Sequence, residues 1–235
     1  MKLFRGIRQN TLKKGNIKKY VLYAVGEILL VMIGISLAFQ VSNWDDNRIK
    51  KNSEVRYYEN IRAQIADDKA LITRQVHFNN RYMAQFKYAN EILETNDRNK
   101  IDTLGLIVRN LTQYSDYDGK GNIYETLVNS GEIKLLRNYK IVNSIRELEE
   151  NFIHVNRMEN IHYDVIMDHI GPAINPNIKL STGQIQKPDL IYRYEFQNLL
   201  FGLIQIMIEK DEVYHKTLNQ INLISELIDE ELVTK

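Results

Sequence analysis

The chain has 235 residues, with 31 Lys+Arg, 30 Asp+Glu, 11 Gly, 3 Pro and no Cys. That excludes a collagenous or low-complexity chain, a disulfide scaffold and thiol chemistry, and 44% hydrophobic residues exclude broad disorder. The net charge of +1 hides a split: residues 1–19 carry seven basic side chains (Lys2, Arg5, Arg8, Lys13, Lys14, Lys18, Lys19) and no acidic one, leaving 24 basic against 30 acidic groups in the rest.

The basic block runs into residues 20–41, YVLYAVGEILLVMIGISLAFQV, in which Glu27 is the one carboxylate. As a helix this stretch spans about 33 Å, enough to cross a hydrocarbon core. Tyr20 and Tyr23 at one end and Trp44 at the other suit the headgroup zones. Positive charge before the segment, with Asp45 and Asp46 after it, places the N-terminus in the cytoplasm. The expected organisation is a cytoplasmic tail (1–19), a transmembrane signal anchor (20–41) and an extracytoplasmic domain (42–235). A cleaved signal peptide fits less well, because the apolar run exceeds the usual 7–15 residues of such a segment and 36–38 (Ser-Leu-Ala) is a poor cleavage site. A buried core helix would leave the basic block and flanking aromatics unexplained.

A carboxylate inside a membrane helix is costly, and its default reading is functional. Steps of four, three and four put Glu27, Val31, Gly34 and Ala38 on one stripe, and Gly34, Ala38 and Ser42 form a small-xxx-small ladder. The expectation is a face for a second copy or a partner membrane protein; the plainer alternative is a neutral Glu near the interface with no role.

From Trp44 to Glu94 there is neither Gly nor Pro. Tyr58, Ile61, Ile65, Ile72, Tyr82, Phe86, Ala89 and Leu93 recur at helical steps, interrupted by Asp68, Gln75 and Asn79, and predict one long amphipathic helix that could continue the membrane helix. A short helix is expected over 101–113, a loop over 114–122, and a helix over Ile123–Asn129 stopped by Ser130-Gly131. After a helical stretch over 133–136, Asn138 would cap a helix running to His169, with Ile141, Ile145, Leu148, Phe152, Val155, Ile161, Val165 and Ile166 inside. Residues 171–187, with Pro172 and Pro176, read as a loop. Pro188 suits a first helical turn, and 189–232 is again amphipathic, with Leu199, Leu203, Ile206, Val213, Leu218, Ile221, Ile224 and Ile228 on its stripe. The predicted fold is all-α: a transmembrane helix and then an extracytoplasmic bundle of three long and two or three short helices.

Candidate sites are few. His154, His162 and His169 share a helix face, but spacings of eight and seven residues set the rings roughly 10–12 Å apart, too far for one ion. Asp164 and Asp168 have chelating spacing without a second motif, so a polar helix face accounts for them. Residues 116–127 begin like a calcium loop, with Asp116 and Asp118. Lys120 then stands where an oxygen ligand belongs, and Leu127 where the bidentate Glu should be, so a turn is the better reading. There is no Cys nucleophile, G-x-S-x-G elbow, S-x-x-K or phosphate cradle. The expectation is therefore no enzyme, catalytic residue, metal or cofactor, although a carboxylate site among 30 acidic residues stays open. The basic block suits anionic headgroups rather than nucleic acid.

Two segments carry a family resemblance. In KYVLYAVGEILLVMIGISLAFQVSNWDD (19–46) the matching residues are Tyr20, Tyr23, Gly26, Glu27, Val31, Ile33, Gly34, Ile35, Asn43 and Trp44. In YETLVNSGEIKLLRN (124–138) they are Tyr124, Leu127, Ser130 and Gly131. The chain resembles a family of single-pass membrane proteins of unknown function from Gram-negative bacteria of the flavobacterial kind. The resemblance implies an inner-membrane anchor with a periplasmic helical domain, and brings no activity or catalytic residue. The leading expectation is a non-enzymatic, membrane-anchored module that binds a partner. The alternative is a small-molecule sensor, which would have to signal through another membrane protein because the cytoplasmic tail holds no output domain. A closed apolar interior would favour the first, a polar pocket of about 300 Å³ or more the second, and clustered carboxylates in such a pocket an enzyme.

Overall fold

The computed structural model describes residues 17–119 and 122–234, with side chains from Val21 onward and that of Lys18. Tyr20, the other basic side chains of 1–19, and Lys120 and Gly121 of the would-be calcium loop lie outside that description. The chain divides into two compact units, 1–54 and 55–235.

The described part is all-α apart from one two-residue hairpin. Helix α1 spans Ile17–Glu94 and runs through the division between the units. After a 3-10 turn at Arg98–Lys100 come α2 (Ile101–Val108), α3 (Ile123–Asn129), a 3-10 turn at Glu132–Leu135, and α4 (Tyr139–Val165). A π-helical turn, Ile166–Ile170, leads into α5 (Gly171–Ile174), the antiparallel pair β1 (Ile178–Lys179) and β2 (Gln184–Ile185), α6 (Pro188–Ile191) and α7 (Tyr194–Val233).

In the first unit α1 carries a stretch long and apolar enough to cross a membrane, with none of that window buried. Leu22, Leu30, Phe39 and Val41 are all more than 60% exposed.

In the second unit α1, α4 and α7 share two apolar clusters. The first gathers Tyr58, Ile61, Ile65 and Ile72 of α1, Ile141, Leu148 and Phe152 of α4, and Ile221, Ile224 and Ile228 of α7. The second gathers Phe86, Ile92 and Leu93 with α2 and with Phe196, Leu200 and Leu203 of α7. Each fully buried Leu, Ile or Phe contributes about 1.5–3 kcal/mol. The expected α1 stripe is buried throughout except for Tyr82, which is half-buried.

Several boundaries follow the local chemistry. Gly131 ends the α3 segment at φ +74°, a left-handed conformation that costs a Cβ-bearing residue energy. Asn138 caps α4 by accepting a hydrogen bond from the Lys140 amide at 3.1 Å, and its amide donates to Glu231 of α7 at 2.7 Å. The helix expected to reach His169 departs from α geometry at Ile166. Pro172 has no N–H to donate four residues back, and the chain widens to a π turn before it. The expected loop over 171–187 instead holds α5 and the hairpin. The helix expected over 189–232 breaks at 192–193, where Tyr192 donates to the Asp97 carbonyl and Arg98 lies 4.0 Å from its ring.

One core assignment is corrected. Ile161 is 40% exposed, and the inward positions after Val155 are Met158, Glu159 and His162. Steps of three and four from Phe152 and Val155 lead to 159, 162 and 166, so geometry buries polar residues where apolar character alone favours Ile161.

Asn138→Ala removes both the α4 cap and the tie to α7. We expect a loss of about 1–2 kcal/mol in urea unfolding, with the m-value unchanged.

Candidate functional site

The stripe interruptions on α1 point to the site. Asp68 is 4% exposed, and its Oδ1 accepts a hydrogen bond from Tyr117 Oη at 2.9 Å. Tyr117 belongs to the loop 113–119, and its ring stacks on Phe152 of α4 at 5.2 Å. Gly119 is required beside it, because a Cβ there would lie 1.9 Å from the tyrosine ring.

Among the described residues, no backbone–backbone hydrogen bond holds 114–119. Side chains from three helices hold it. Gln75 of α1 donates to the Asp116 carbonyl at 2.7 Å, and Lys210 of α7 donates to the Ser115 carbonyl at 3.1 Å. The Tyr117 amide donates to Glu159 Oε2 of α4 at 2.9 Å. Tyr214 of α7 donates its hydroxyl proton to Glu159 Oε1, and its oxygen lies 2.9 Å from Ser115 Oγ.

Lys210 also reaches His162 Nδ1 at 3.2 Å. An ammonium can only donate, so Nδ1 accepts and the imidazole proton sits on Nε2, which is buried with no partner in the structure. Burial, and then the Lys210 charge, hold His162 down at about 3. Burial lowers Lys210 to about 8, while Glu159 and Asp116 pull it back up. Burial raises the Glu159 and Asp68 carboxyls, opposed by their tyrosine hydrogen bonds. Tyr117 and Tyr214 are raised by burial and by the carboxylates they face.

A cleft of about 680 Å³ opens beside this network. Ala63, Gln64, Asp67, Asp68 and Leu71 of α1 form one wall, and Asp118, Gly119 and Asn122 the other. Asp68 belongs to both cleft and network.

The expected site residues all lie on α1, apart from this network. Glu27 and Val31 share a shallow groove with Ala24, Ile28 and Met32, while Gly34 and Ala38 are exposed further along. Tyr23 and Trp44 are exposed, and Trp44 carries the Arg48 guanidinium 5.6 Å from its ring. Of the three aligned histidines, His162 is fully buried, His154 half-buried and His169 exposed. The polar helix face expected there therefore excludes His162. Asp164 and Asp168 are exposed. In the would-be calcium loop, Asp116 and Asp118 are exposed and Tyr117 fills the interior. Among the described residues, no group of three or more His, Asp or Glu side chains converges to hold a metal ion. Sequence reasoning missed Ser115, Tyr117, Glu159, Lys210 and Tyr214; Asp68 was visible only as a break in a stripe.

Together these features define an all-α domain with a buried polar network, carried on a helix with an exposed apolar stretch. The chain belongs to the family described as "Family of unknown function (DUF6090)", which matches residues 27–209. No curated protein and no solved structure matches the chain.

The shift of Lys210 fixes a pH dependence. Its folded value of about 8 lies below the ordinary 10.5, so between these values the unfolded chain binds more protons and stability rises with pH. We expect urea stability to increase from pH 8 to about 9.5. It should fall again at higher pH, where unfolding lets Tyr117 and Tyr214 ionise. Lys210→Met should abolish the rise.

Proposed function

We propose that the protein is a single-pass membrane protein of the inner membrane. In this reading the N-terminus is cytoplasmic, residues 20–41 span the bilayer as a retained signal anchor, and 42–235 form a periplasmic helical bundle. The observation that carries it is the apolar stretch of α1, long enough to span and with no residue of its window buried. Flanking Tyr20, Tyr23 and Trp44 and the basic block support the orientation. A flavobacterial-type origin and the signature over 20–44 belong to the same reading.

The protein works by binding, not by catalysis. Glu159, His162, Lys210 and Tyr214 have acid–base character, but each is less than 5% exposed; Glu159, Lys210 and Tyr214 are committed to holding a loop, and His162 is engaged by Lys210. The membrane helix recruits a second copy or a partner membrane protein through Glu27, Val31, Gly34 and Ala38, where small residues permit close helix approach.

A second reading is favoured by the cleft. At about 680 Å³ with polar walls it fits a small-molecule sensor that signals through the membrane partner.

Glu27→Ala combined with Gly34→Leu tests the helix face. In a membrane two-hybrid assay we expect at least tenfold loss of self-association or partner capture at equal expression. An unchanged signal rejects this face.

A further inference from the structure

Of the five histidines, only His162 of α4 is fully buried. Its Nδ1 accepts from the Lys210 ammonium at 3.2 Å. The same ammonium donates to the Ser115 carbonyl at 3.1 Å. The Tyr114 ring stands edge-to-face with the imidazole, centroids 6.3 Å apart. One lysine thus joins the imidazole to the loop 114–119, and another residue of that loop packs on it.

The groups around this pair come from every element that packs there. Glu159 of α4 and Asp116 of the loop act as counter-charges to Lys210. The Glu159 oxygens are occupied by the Tyr117 amide and by Tyr214 of α7. Asp68 of α1 is engaged by Tyr117, Asn79 of α1 donates to the Met207 carbonyl, and Tyr163 of α4 meets Tyr114. Among the described residues His162 makes no ion pair with a carboxylate.

A proton arriving at His162 must go to Nδ1, because Nε2 already holds one. It removes the acceptor that Lys210 uses and sets two cations side by side in a dry site, where their repulsion is strong. The loop is the part able to yield. Among the described residues no backbone–backbone hydrogen bond holds 114–119, and such segments open locally before the core does.

We propose that His162 and Lys210 form an acid-operated latch on the loop 114–119: protonation of the imidazole breaks its contact with the ammonium, frees the Ser115 carbonyl and lets the loop lift off the bundle. The latch does not depend on the ligand-binding reading of the cleft. Burial, and then the Lys210 charge, hold His162 at about 3 in the closed form, against the ordinary 6.5 once the loop has opened. Closure is therefore fully favoured above 6.5 and is lost as pH falls between these values. Burial raises Glu159 and Asp68, so their protonation on acidification favours the closed form and opposes the latch. A variant that alters His162 alone cancels that contribution.

The test is hydrogen exchange of the full chain in detergent micelles, read by mass spectrometry and corrected for the intrinsic pH dependence of exchange. The Tyr117 amide, which donates to Glu159, reports the closed loop. His162→Asn keeps an acceptor for Lys210 and cannot take a proton. Between about pH 7 and about pH 4.5 we expect the Tyr117 opening constant to rise about 100-fold beyond any change in His162→Asn, a decade for each pH unit below 6.5. No rise, or an equal rise in the variant, overturns the proposal. A parallel rise over 86–93, in the other apolar cluster, also overturns it, because the whole domain is then unfolding. If His162→Asn fails to fold, nitrogen NMR of the His162 ring in the wild-type chain decides. The ring should stay neutral with its proton on Nε2 while Tyr117 is protected, and imidazolium should appear only as the loop opens. Imidazolium that forms near 6.5 with Tyr117 still protected overturns the latch.

Discussion

Among the described residues, the loop 114–119 has no backbone–backbone hydrogen bonds and is held by side chains, and that requirement organises the second unit of this protein. Residues 114–119 take their partners from Asp68 and Gln75 of α1, Glu159 of α4, and Lys210 and Tyr214 of α7. Each helix places polar groups at inward positions and accepts the desolvation cost because the loop satisfies them. Asn79, His162 and Lys210 also fall between the two apolar clusters, where α1, α4 and α7 pass from one to the other. The Asn79 amide donates to the Met207 carbonyl there. Removing one member leaves another buried and unpaired, which is more costly than never having buried the pair.

The first unit obeys a different constraint. Its apolar side chains are exposed along the helix, and water is the wrong solvent for such a surface. A bilayer would cover such a surface, and a helix would satisfy its backbone groups there internally. The charge split fits that account. Seven basic groups precede the apolar run, and the acidic excess belongs to the residues that follow it, so the net charge of +1 describes neither surface.

Most of the fold was legible because it rests on periodicity and local stop signals. The α1 stripe, the Ser130-Gly131 stop, the Asn138 cap and the Pro188 start all depend on neighbours within a few residues. The candidate site was far less legible. Apolar periodicity treats a buried Glu159 or His162 as a gap and moves to Ile161, one position out of phase. Lys210 reads as an ordinary solvated charge until its partners Ser115 and His162, far away in sequence, are known. Asp68, Gln75 and Asn79 left a local trace, as polar residues on an otherwise apolar stripe. The π turn before Pro172 and the kink at 192–193 were hidden for the same reason, since both depend on backbone groups several residues away or on contacts across the fold.

The central claim is that residues 42–235 stand outside the cytoplasm on a membrane anchor. The chain has no cysteine, so a single exposed one reports its side of the membrane cleanly. Asp164→Cys in intact spheroplasts should react with a membrane-impermeant maleimide, and the protein should stay in the membrane pellet after alkaline carbonate. Labelling only after the membrane is permeabilised, or release of the protein by carbonate, would contradict the account.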